Sequence, residues 1–202
     1  MVAIIDYNMG NVASVQKALN FLNIPSVVTN NHKAISDSDF ILLPGVGSFR
    51  QGMENLKRKE LDKLLTDLVM GEKKSFLGIC LGMQLIAKKG TEPEDCVGLD
   101  WVEGTIVKIE EQNLRVPHMG WNNIDIKKQR YFDNLQGKDF YFIHSYHFIP
   151  DNKDVIAATV EYGRELVAAV QKENIFATQF HPEKSQVAGL SLLKNYFDYV
   201  KA

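Results

Sequence analysis

Short apolar runs alternate with amphipathic segments in the first part of the chain. The runs have the length of buried strands and lie at residues 2–5, 26–29, 40–43 and 75–79. Apolar residues recur at helical spacing in two segments between them, at residues 11–23 and 53–70. We expect Pro44 and Gly45 to end the third strand and Gly71 to follow the second helix. Strands that alternate with helices favour a parallel sheet with right-handed crossovers.

The pattern changes in the second half of the chain. Between Trp101 and Phe180 the apolar stretches are short, alternate with polar residues and are rich in aromatic side chains. Such stretches predict an antiparallel extension of the sheet. Residues 185–200 return to helical spacing. No linker rich in Pro, Gly or Ser interrupts the sequence, so we expect one α/β domain over residues 1–202, with helices on both faces of a mostly parallel sheet.

Composition and charge argue against several classes of function. The 202 residues are 45% apolar and 24% charged, with a net charge of −2, so we expect no nucleic-acid partner. No apolar run approaches the roughly 18 residues of a membrane span, and the first residues lack a charged signal region. The two cysteines have no disulfide spacing, which indicates a reducing, cytoplasmic setting. Zinc-ligand spacing is absent too, so we expect no metal and no cofactor.

One sulfur lies at the turn between a predicted strand and a predicted helix. Gly78 and Gly82 flank Cys80 two positions to either side, and a helix-like segment, 83–87, follows. Glycines at these positions allow a sharp, strained turn that exposes a nucleophile, and the helix start behind it favours negative charge. The alternative is a small buried cysteine between two packing glycines.

A base for this sulfur is predicted much further along the chain. His181 ends an alternating apolar run, 175–180, and precedes Pro182 and Glu183. Proline favours an extended conformation for the residue before it, and in extended backbone residues two apart point to the same side. We therefore expect Glu183 to reach the His181 ring and fix its tautomer. Both Cys80 and His181 follow predicted strands, whose carboxyl ends form the ligand crevice of open α/β sheets.

Taken together, the segments around the cysteine and the histidine resemble the class I glutamine amidotransferases. The first extends from Gly78 to Gln84 and the second from Phe180 to Ser185. Three further segments narrow the resemblance to the glutaminase subunits of imidazole glycerol phosphate synthases, at residues 44–47, 117–122 and 142–146. The similarity extends from residue 6 into the C-terminal helix. It implies the flavodoxin-like fold of this amidotransferase family.

The chemistry expected of such a site is the hydrolysis of L-glutamine. Cys80 attacks the carboxamide carbon as a thiolate, and His181, oriented by Glu183, moves the protons. The oxyanion needs two backbone donors. We expect one donor at Leu81, directly after the nucleophile. The other is expected at Val46 or Gly47, in the loop of residues 44–47, which we call the Pro-Gly loop.

The resemblance also implies how the substrate is held. Gln84 and Glu92 are the candidates near the α-amino group. The backbone at His144, Ser145 and Tyr146 is the candidate for holding the α-carboxylate. Gln84 lies one helical turn beyond the cysteine and so faces the same side. A polar residue that caps the helix is the alternative explanation for it.

An amidotransferase without a second domain needs a separate acceptor for its ammonia. The resemblance implies a (β/α)8-barrel cyclase that takes up the ammonia through its core. The positions that match the family's interface are Asn11, Trp121, Tyr141 and Lys184. An exposed Trp and Tyr suit an interface, although core packing is the ordinary role of both. We expect no membrane as a partner.

Three other functions stay open at this point. A paralogous amidotransferase subunit for surface-polysaccharide or nonulosonic acid synthesis would share all these motifs and differ in its partner. A cysteine peptidase or stress-type hydrolase of similar topology would place a histidine directly after the cysteine, where this chain has Leu81. A non-catalytic binding module would lack the cysteine, the histidine or the glutamate.

Overall fold

A nine-stranded mixed sheet forms the centre of the protein. The computed structural model describes residues 1–110 and 114–201. In spatial order the strands are β2 (Ser26–Thr29), β1 (Val2–Ile5), β3 (Phe40–Gly45), β4 (Ser75–Cys80), β13 (Ile175–Thr178), β12 (Glu165–Lys172), β11 (Ile156–Glu161), β8 (His118–Ile126) and β9 (Asp139–His144). The strands from β2 to β13 are parallel, and the others continue the sheet in antiparallel pairing. This confirms the predicted α/β fold and its antiparallel extension.

Two of the aromatic-rich strands leave the main sheet, which the sequence did not predict. A second sheet has the order β10 (Tyr146–Pro150), β7 (Val102–Lys108), β5 (Ala87–Gly90) and β6 (Cys96–Val97). Its buried Val102, Ile106 and Phe148 belong to an apolar core on one face of the main sheet. The alternation of apolar and polar residues predicts that a strand forms, but it does not specify which strands it pairs with. The chain crosses between the sheets at Ser145, which lies between β9 and β10.

Helices cover both faces of the main sheet, as predicted. They are α1 (Val12–Phe21), α2 (His32–Ser36), α3 (Phe49–Arg58), α4 (Leu61–Thr66), α5 (Leu81–Leu85) and α6 (Gln186–Lys201). Alternate residues of a strand point to opposite faces. Val2 and Ile4 of β1 share a core with α1 and α6, whereas Ala3 and Ile5 share one with α3, α4 and α5. No helix in the described ranges has both the length and the hydropathy to span a lipid bilayer.

The single helix predicted for residues 53–70 is wrong. The structure has α3, a break at Glu60, α4 and a π-helical segment, Asp67–Gly71. Glu60 has a left-handed backbone, with φ 55°. Leu56 and Leu61 would point about 140° apart on one continuous helix of 3.6 residues per turn. The break allows both to be fully buried.

The third strand also extends further than predicted. Pro44 and Gly45 pair with Ile79 and Cys80 of β4 instead of ending β3. The neighbouring β1 pairs with β3 only as far as Leu42, so the missing N–H of the proline does not interrupt that ladder. The extra pairing brings the Pro-Gly loop next to the cysteine.

We expect Gly82→Ala to destabilise the protein strongly. A Cβ atom at Gly82 would overlap the carbonyl oxygen of Leu43, which the sheet holds in place. We expect a loss of about 2–3 kcal/mol in the free energy of unfolding, the range for overpacking a core, measured by urea denaturation. Gly71→Ala is the matched control, because nothing lies within 4 Å of a Cβ there. Equal stability of the two variants would contradict the close approach.

Candidate active site

Cys80 lies on a strained turn between β4 and α5. Its backbone angles are φ 53° and ψ −106°, a combination that a non-glycine residue keeps only where the surrounding structure enforces it. A Cβ on Gly78 would lie 2.9 Å from the carbonyl oxygen of Gly82, so both glycines are needed for the turn. The helix that follows is α5, two residues earlier than the predicted 83–87, because Ala87 already pairs in β5. The turn places the sulfur at the carboxyl edge of the sheet.

A buried histidine and glutamate lie at the same edge. Strand β13 runs parallel to β4 and pairs with it as far as Thr178 and Ile79, so His181 leaves the sheet beside the turn. Nδ1 of His181 and Oε1 of Glu183 are 2.8 Å apart, and the two side chains are 3% and 2% exposed. His181 itself is extended, as predicted, with φ −101° and ψ 94°, but the extended conformation does not continue, since residues Pro182–Lys184 form a 3-10 turn. This turn brings the carboxylate to the ring.

Neighbouring charges determine the pKa of His181. Burial by itself lowers this pKa, but the sulfur of Cys80 and the carboxylate of Glu183 outweigh burial and raise it to about 9. Nε2 of His181 is buried and has no hydrogen-bond partner among the described residues. Because Nδ1 is bound to Glu183, Nε2 is the ring nitrogen that can exchange a proton with the sulfur.

Two further groups contact the sulfur. Sγ of Cys80 donates to the carbonyl oxygen of Ile143 at 3.9 Å and accepts from Nε2 of Gln179 at 3.6 Å. Gln179 is fully buried and was not predicted as a site residue. The feature of the sequence that could have indicated it is a polar residue near the end of the apolar run 175–180, two positions before His181. Its amide holds the sulfur from the side of β13.

A tyrosine that was not predicted as a site residue, Tyr7, packs against the Pro-Gly loop. A Cβ atom on Gly45 would overlap the Tyr7 hydroxyl, so the phenol lies directly against the Pro-Gly loop. The hydroxyl oxygen is buried without a hydrogen-bond partner in the described ranges. Burial, and secondly the sulfur of Cys80, raises the pKa of Tyr7 far above its ordinary value. Tyr7 is therefore a neutral support for the loop, and no spacing pattern distinguishes it in the sequence.

A pocket of about 520 Å³ opens at the sulfur, a volume typical of small-molecule sites. It joins the Pro-Gly loop, the turn at the cysteine, the segment after β5 and the junction of β9 and β10. The predicted site residues that line it are Val46, Gly47, Cys80, Leu81, Gln84, Glu92, His144, Ser145, Tyr146 and Lys184. His181 and Glu183 are not among the residues that line it.

Protein partners hold the polar side chains of this pocket in place. Nε2 of Gln84 donates to the carbonyl oxygen of Tyr146 at 3.1 Å and to Oε1 of Gln179 at 3.0 Å. Oε2 of Glu92 accepts from the backbone N–H of Phe49 at 3.0 Å, at the start of α3. Burial raises the pKa of Glu92, and the Phe49 N–H partly opposes this. Gln84 thus bridges two walls of the pocket.

The Pro-Gly loop has a backbone that only glycine adopts easily at one position. Gly47 has φ 110°, in the region where side chains are strained. A Cβ on Gly10 would lie 2.9 Å from Cα of Gly45, so the base of the loop is tightly packed. Val46 is 39% exposed. The loop is therefore tightly packed at Gly45 and exposed at Val46 and Gly47, which line the pocket.

Three of the predicted interface residues form a cluster beside the pocket. The ring centroids of Trp121 and Tyr141 are 6.1 Å apart, and Nζ of Lys184 lies 5.8 Å from the Tyr141 centroid. Trp121 is 49% exposed. The fourth, Asn11, caps α1, where its Oδ1 accepts from the backbone N–H of Ser14 at 3.2 Å. The structure thus gives Asn11 a local role besides the predicted one.

A family model described as glutamine amidotransferase class-I matches residues 3–199, and the chain belongs to this family. It is similar to the imidazole glycerol phosphate synthase subunit HisH 1 of Campylobacter jejuni (strain RM1221), with 46% identity over 97% of this chain and 98% of that protein. The corresponding HisH subunit of Geobacter sulfurreducens is 44% identical, over 96% and 97%. A solved glutamine amidotransferase shares the fold, with a TM-score of 0.79 at 16% identity over all of both chains. The predicted resemblance is confirmed.

The raised pKa of His181 implies a pH-dependent stability. Because the folded pKa of about 9 exceeds the ordinary 6.5, the imidazolium stabilises the fold fully below pH 6.5, and this contribution is lost as the pH rises through 9. Glu183→Gln keeps an oxygen acceptor for Nδ1 and removes the charge. We therefore expect a lower His181 pKa in an NMR titration, and a smaller loss of stability between these pH values in urea denaturation.

The matched control is Glu72→Gln, which removes an exposed carboxylate remote from the pocket. We expect it to leave both measurements unchanged. A His181 pKa that Glu183→Gln does not alter would show that the carboxylate does not hold the proton on the ring.

Proposed function

We propose that this chain is the glutaminase subunit of an imidazole glycerol phosphate synthase. It hydrolyses L-glutamine to glutamate and ammonia and passes the ammonia to a (β/α)8-barrel cyclase subunit. The observation that carries the proposal is the buried His181–Glu183 pair beside Cys80 on its strained turn. The names of the relatives, which are similar over nearly their whole length, favour this synthase over a paralogous subunit for sugar synthesis.

Cys80 is the nucleophile in this mechanism. Its proton lies on Nε2 of His181, because the raised pKa keeps that nitrogen protonated at neutral pH, and the sulfur attacks the carboxamide carbon as a thiolate. Nε2 then gives that proton to the departing ammonia. Water hydrolyses the remaining thioester, and Nε2 accepts a proton again. Glu183 accepts from Nδ1, which keeps the lone pair on Nε2 and stabilises the imidazolium.

Backbone amides stabilise the oxyanion of each tetrahedral intermediate. One donor is the N–H of Leu81, directly after the nucleophile, and the other is that of Val46 or Gly47. All three residues line the pocket. The backbone of Gly47 can reorient at low cost because glycine tolerates positive φ. In comparable sites one such donor lowers the barrier by about 3 kcal/mol.

Opposite walls of the pocket bind the two ends of glutamine. The carboxylate of Glu92 attracts the α-ammonium group, while the backbone at His144, Ser145 and Tyr146 holds the α-carboxylate. Support for this arrangement comes from the position of all four residues in the lining. Gln84 is bound to the Tyr146 carbonyl and keeps the spacing of the walls.

The cluster of Trp121, Tyr141 and Lys184 beside the pocket binds the barrel subunit. Free ammonia is mostly protonated at neutral pH and would escape into solvent. The acceptor enzyme must therefore cover the site before the ammonia is released. Trp121, Tyr141 and Lys184 form the contact, with Asn11 at the start of α1, and aromatic residues of this kind are common anchors of interfaces. Such a complex works in the cytoplasm, where we place the protein.

We expect Cys80→Ser to lower kcat for glutamate release by about three orders of magnitude or more, because a hydroxyl ionises far less than a thiol and loss of one member disables a triad. Cys96→Ser is the matched control. Cys96 lies outside the pocket lining, and its sulfur contacts the Val97 carbonyl. We expect this control to retain wild-type activity. Substantial turnover by Cys80→Ser would rule out the sulfur as nucleophile.

We expect Trp121→Ala to weaken binding to the barrel subunit about 30-fold in Kd, the effect of removing a moderate aromatic anchor. Phe21→Ala is the control, since Phe21 is 73% exposed and ends α1 at the opposite end from Asn11. Calorimetric titration of each variant with the barrel subunit measures the difference. Equal Kd values for both variants, or no complex at all, would contradict the proposed interface.

A further inference from the structure

A continuous series of hydrogen bonds connects the nucleophile with the wall of the pocket. Nε2 of Gln179 donates to Sγ of Cys80 at 3.6 Å, and Oε1 of Gln179 accepts from Nε2 of Gln84 at 3.0 Å. Gln84 also donates to the carbonyl oxygen of Tyr146 at 3.1 Å. The Tyr146 carbonyl is thus the point where the side chains near the sulfur meet the wall at Ser145.

Two buried histidines continue this series to strand β8. The Tyr146 carbonyl oxygen lies 2.8 Å from Nδ1 of His144, and Nε2 of His144 lies 3.0 Å from Nδ1 of His118. Nε2 of His118 lies 3.4 Å from Nδ2 of Asn122, which also donates to the carbonyl of Glu161 at 2.9 Å. His118 and His144 are 3% and 5% exposed.

Only one assignment of protons satisfies all these contacts. A carbonyl oxygen accepts and cannot donate, so Nδ1 of His144 carries hydrogen. In a neutral ring Nε2 of His144 is then an acceptor, and Nδ1 of His118 must be its donor. Nε2 of His118 is in turn an acceptor, for which the Asn122 amide supplies the donor.

Burial keeps both rings neutral, as this assignment requires. It lowers the pKa of His118 to about 4. It also lowers that of His144 to about 3, although the bond to the Tyr146 carbonyl opposes the shift. Both rings are therefore uncharged at neutral pH. Each has one donor and one acceptor nitrogen, and both nitrogens are used.

Aromatic packing holds the His118 ring in the required plane. Its centroid lies 4.7 Å from that of Phe142, with 22° between the planes, and 4.0 Å from that of Tyr162, with 28°. In the β8–β9 ladder His118 is the direct partner of His144. A ring sandwiched in this way cannot turn its Nδ1 away from the neighbouring histidine.

We propose that His118 is a positioning residue of the glutamine pocket. Its donated hydrogen bond keeps His144 in the tautomer with hydrogen on Nδ1, and His144 in turn holds the Tyr146 carbonyl and closes the turn around Ser145. That turn is the wall at which the α-carboxylate of glutamine binds, so the inference rests on the proposed glutaminase function. His118 does not line the pocket and acts only through His144.

Two variants of His118 separate positioning from packing. His118→Phe keeps the aromatic stack and removes the donor, whereas His118→Asn loses the stack and keeps an amide N–H at the place of Nδ1. We expect His118→Phe to raise KM for glutamine about ten-fold with a smaller change in kcat, as for one lost hydrogen bond in a buried network. We expect His118→Asn to remain closer to wild type. The opposite order would show that His118 only packs.

His147→Phe is the matched control for replacing a buried histidine by phenylalanine. His147 is 5% exposed and lies outside the pocket lining. We expect its KM for glutamine to equal that of the wild type. A rise in KM as large as that of His118→Phe would mean that any such replacement disturbs the pocket, and would overturn the inference.

The ring protons can be observed without any turnover. Long-range 1H–15N NMR of the wild-type chain at neutral pH should show His118 and His144 both neutral with hydrogen on Nδ1. In His118→Phe we expect the Nε2 resonance of His144 to shift as it loses its donor. Hydrogen on Nε2, or a doubly protonated ring, would overturn the inference even if glutamine is hydrolysed. A wild type that shows the expected ring signals but releases no glutamate even with the barrel subunit bound would instead refute the proposed function.

Discussion

The close approach of the turn at Cys80 to strand β3 is the contact on which the site depends. Gly82 packs against the Leu43 carbonyl, where no side chain fits, and this holds α5 on the edge of the sheet. Because the helix is held there, Cys80 keeps a backbone conformation that it would otherwise leave. The sulfur is thereby aimed at the pocket by packing that lies behind it.

Burial has opposite consequences for the histidines of this site. His181 is buried beside a sulfur and a carboxylate, and their attraction for the imidazolium exceeds the cost of desolvation. For His118 and His144 desolvation is the leading effect, and both rings stay neutral. One buried region therefore contains His181, which carries a proton, and two neutral histidines, His118 and His144, whose ring nitrogens are held by hydrogen bonds. The neighbouring sulfur of Cys80 and carboxylate of Glu183 are what distinguish His181 from the other two histidines.

The pocket itself results from the change of sheet at Ser145. Strand β9 belongs to the main sheet and β10 to the second, and the chain passes from one sheet to the other at Ser145. Both are edge strands, and the Tyr146 carbonyl is held by the side chains of Gln84 and His144, whereas the Ser145 carbonyl accepts from the backbone N–H of Ile109. An edge strand can present backbone groups to a ligand on its open side, which a strand paired on both sides cannot do.

Local patterns in the sequence were sufficient for the alternation of strands and helices, the turn at Cys80 and the choice of His181 with Glu183. These features depend on neighbours in the chain: glycine spacing, a proline and the period of apolar residues. The second sheet, the break at Glu60 and the hydrogen-bond partners of Gln179 and His118 were not predictable in this way. They depend on which distant strands pair and which side chains then share a buried space, and a buried polar atom finds its partner only once that packing exists.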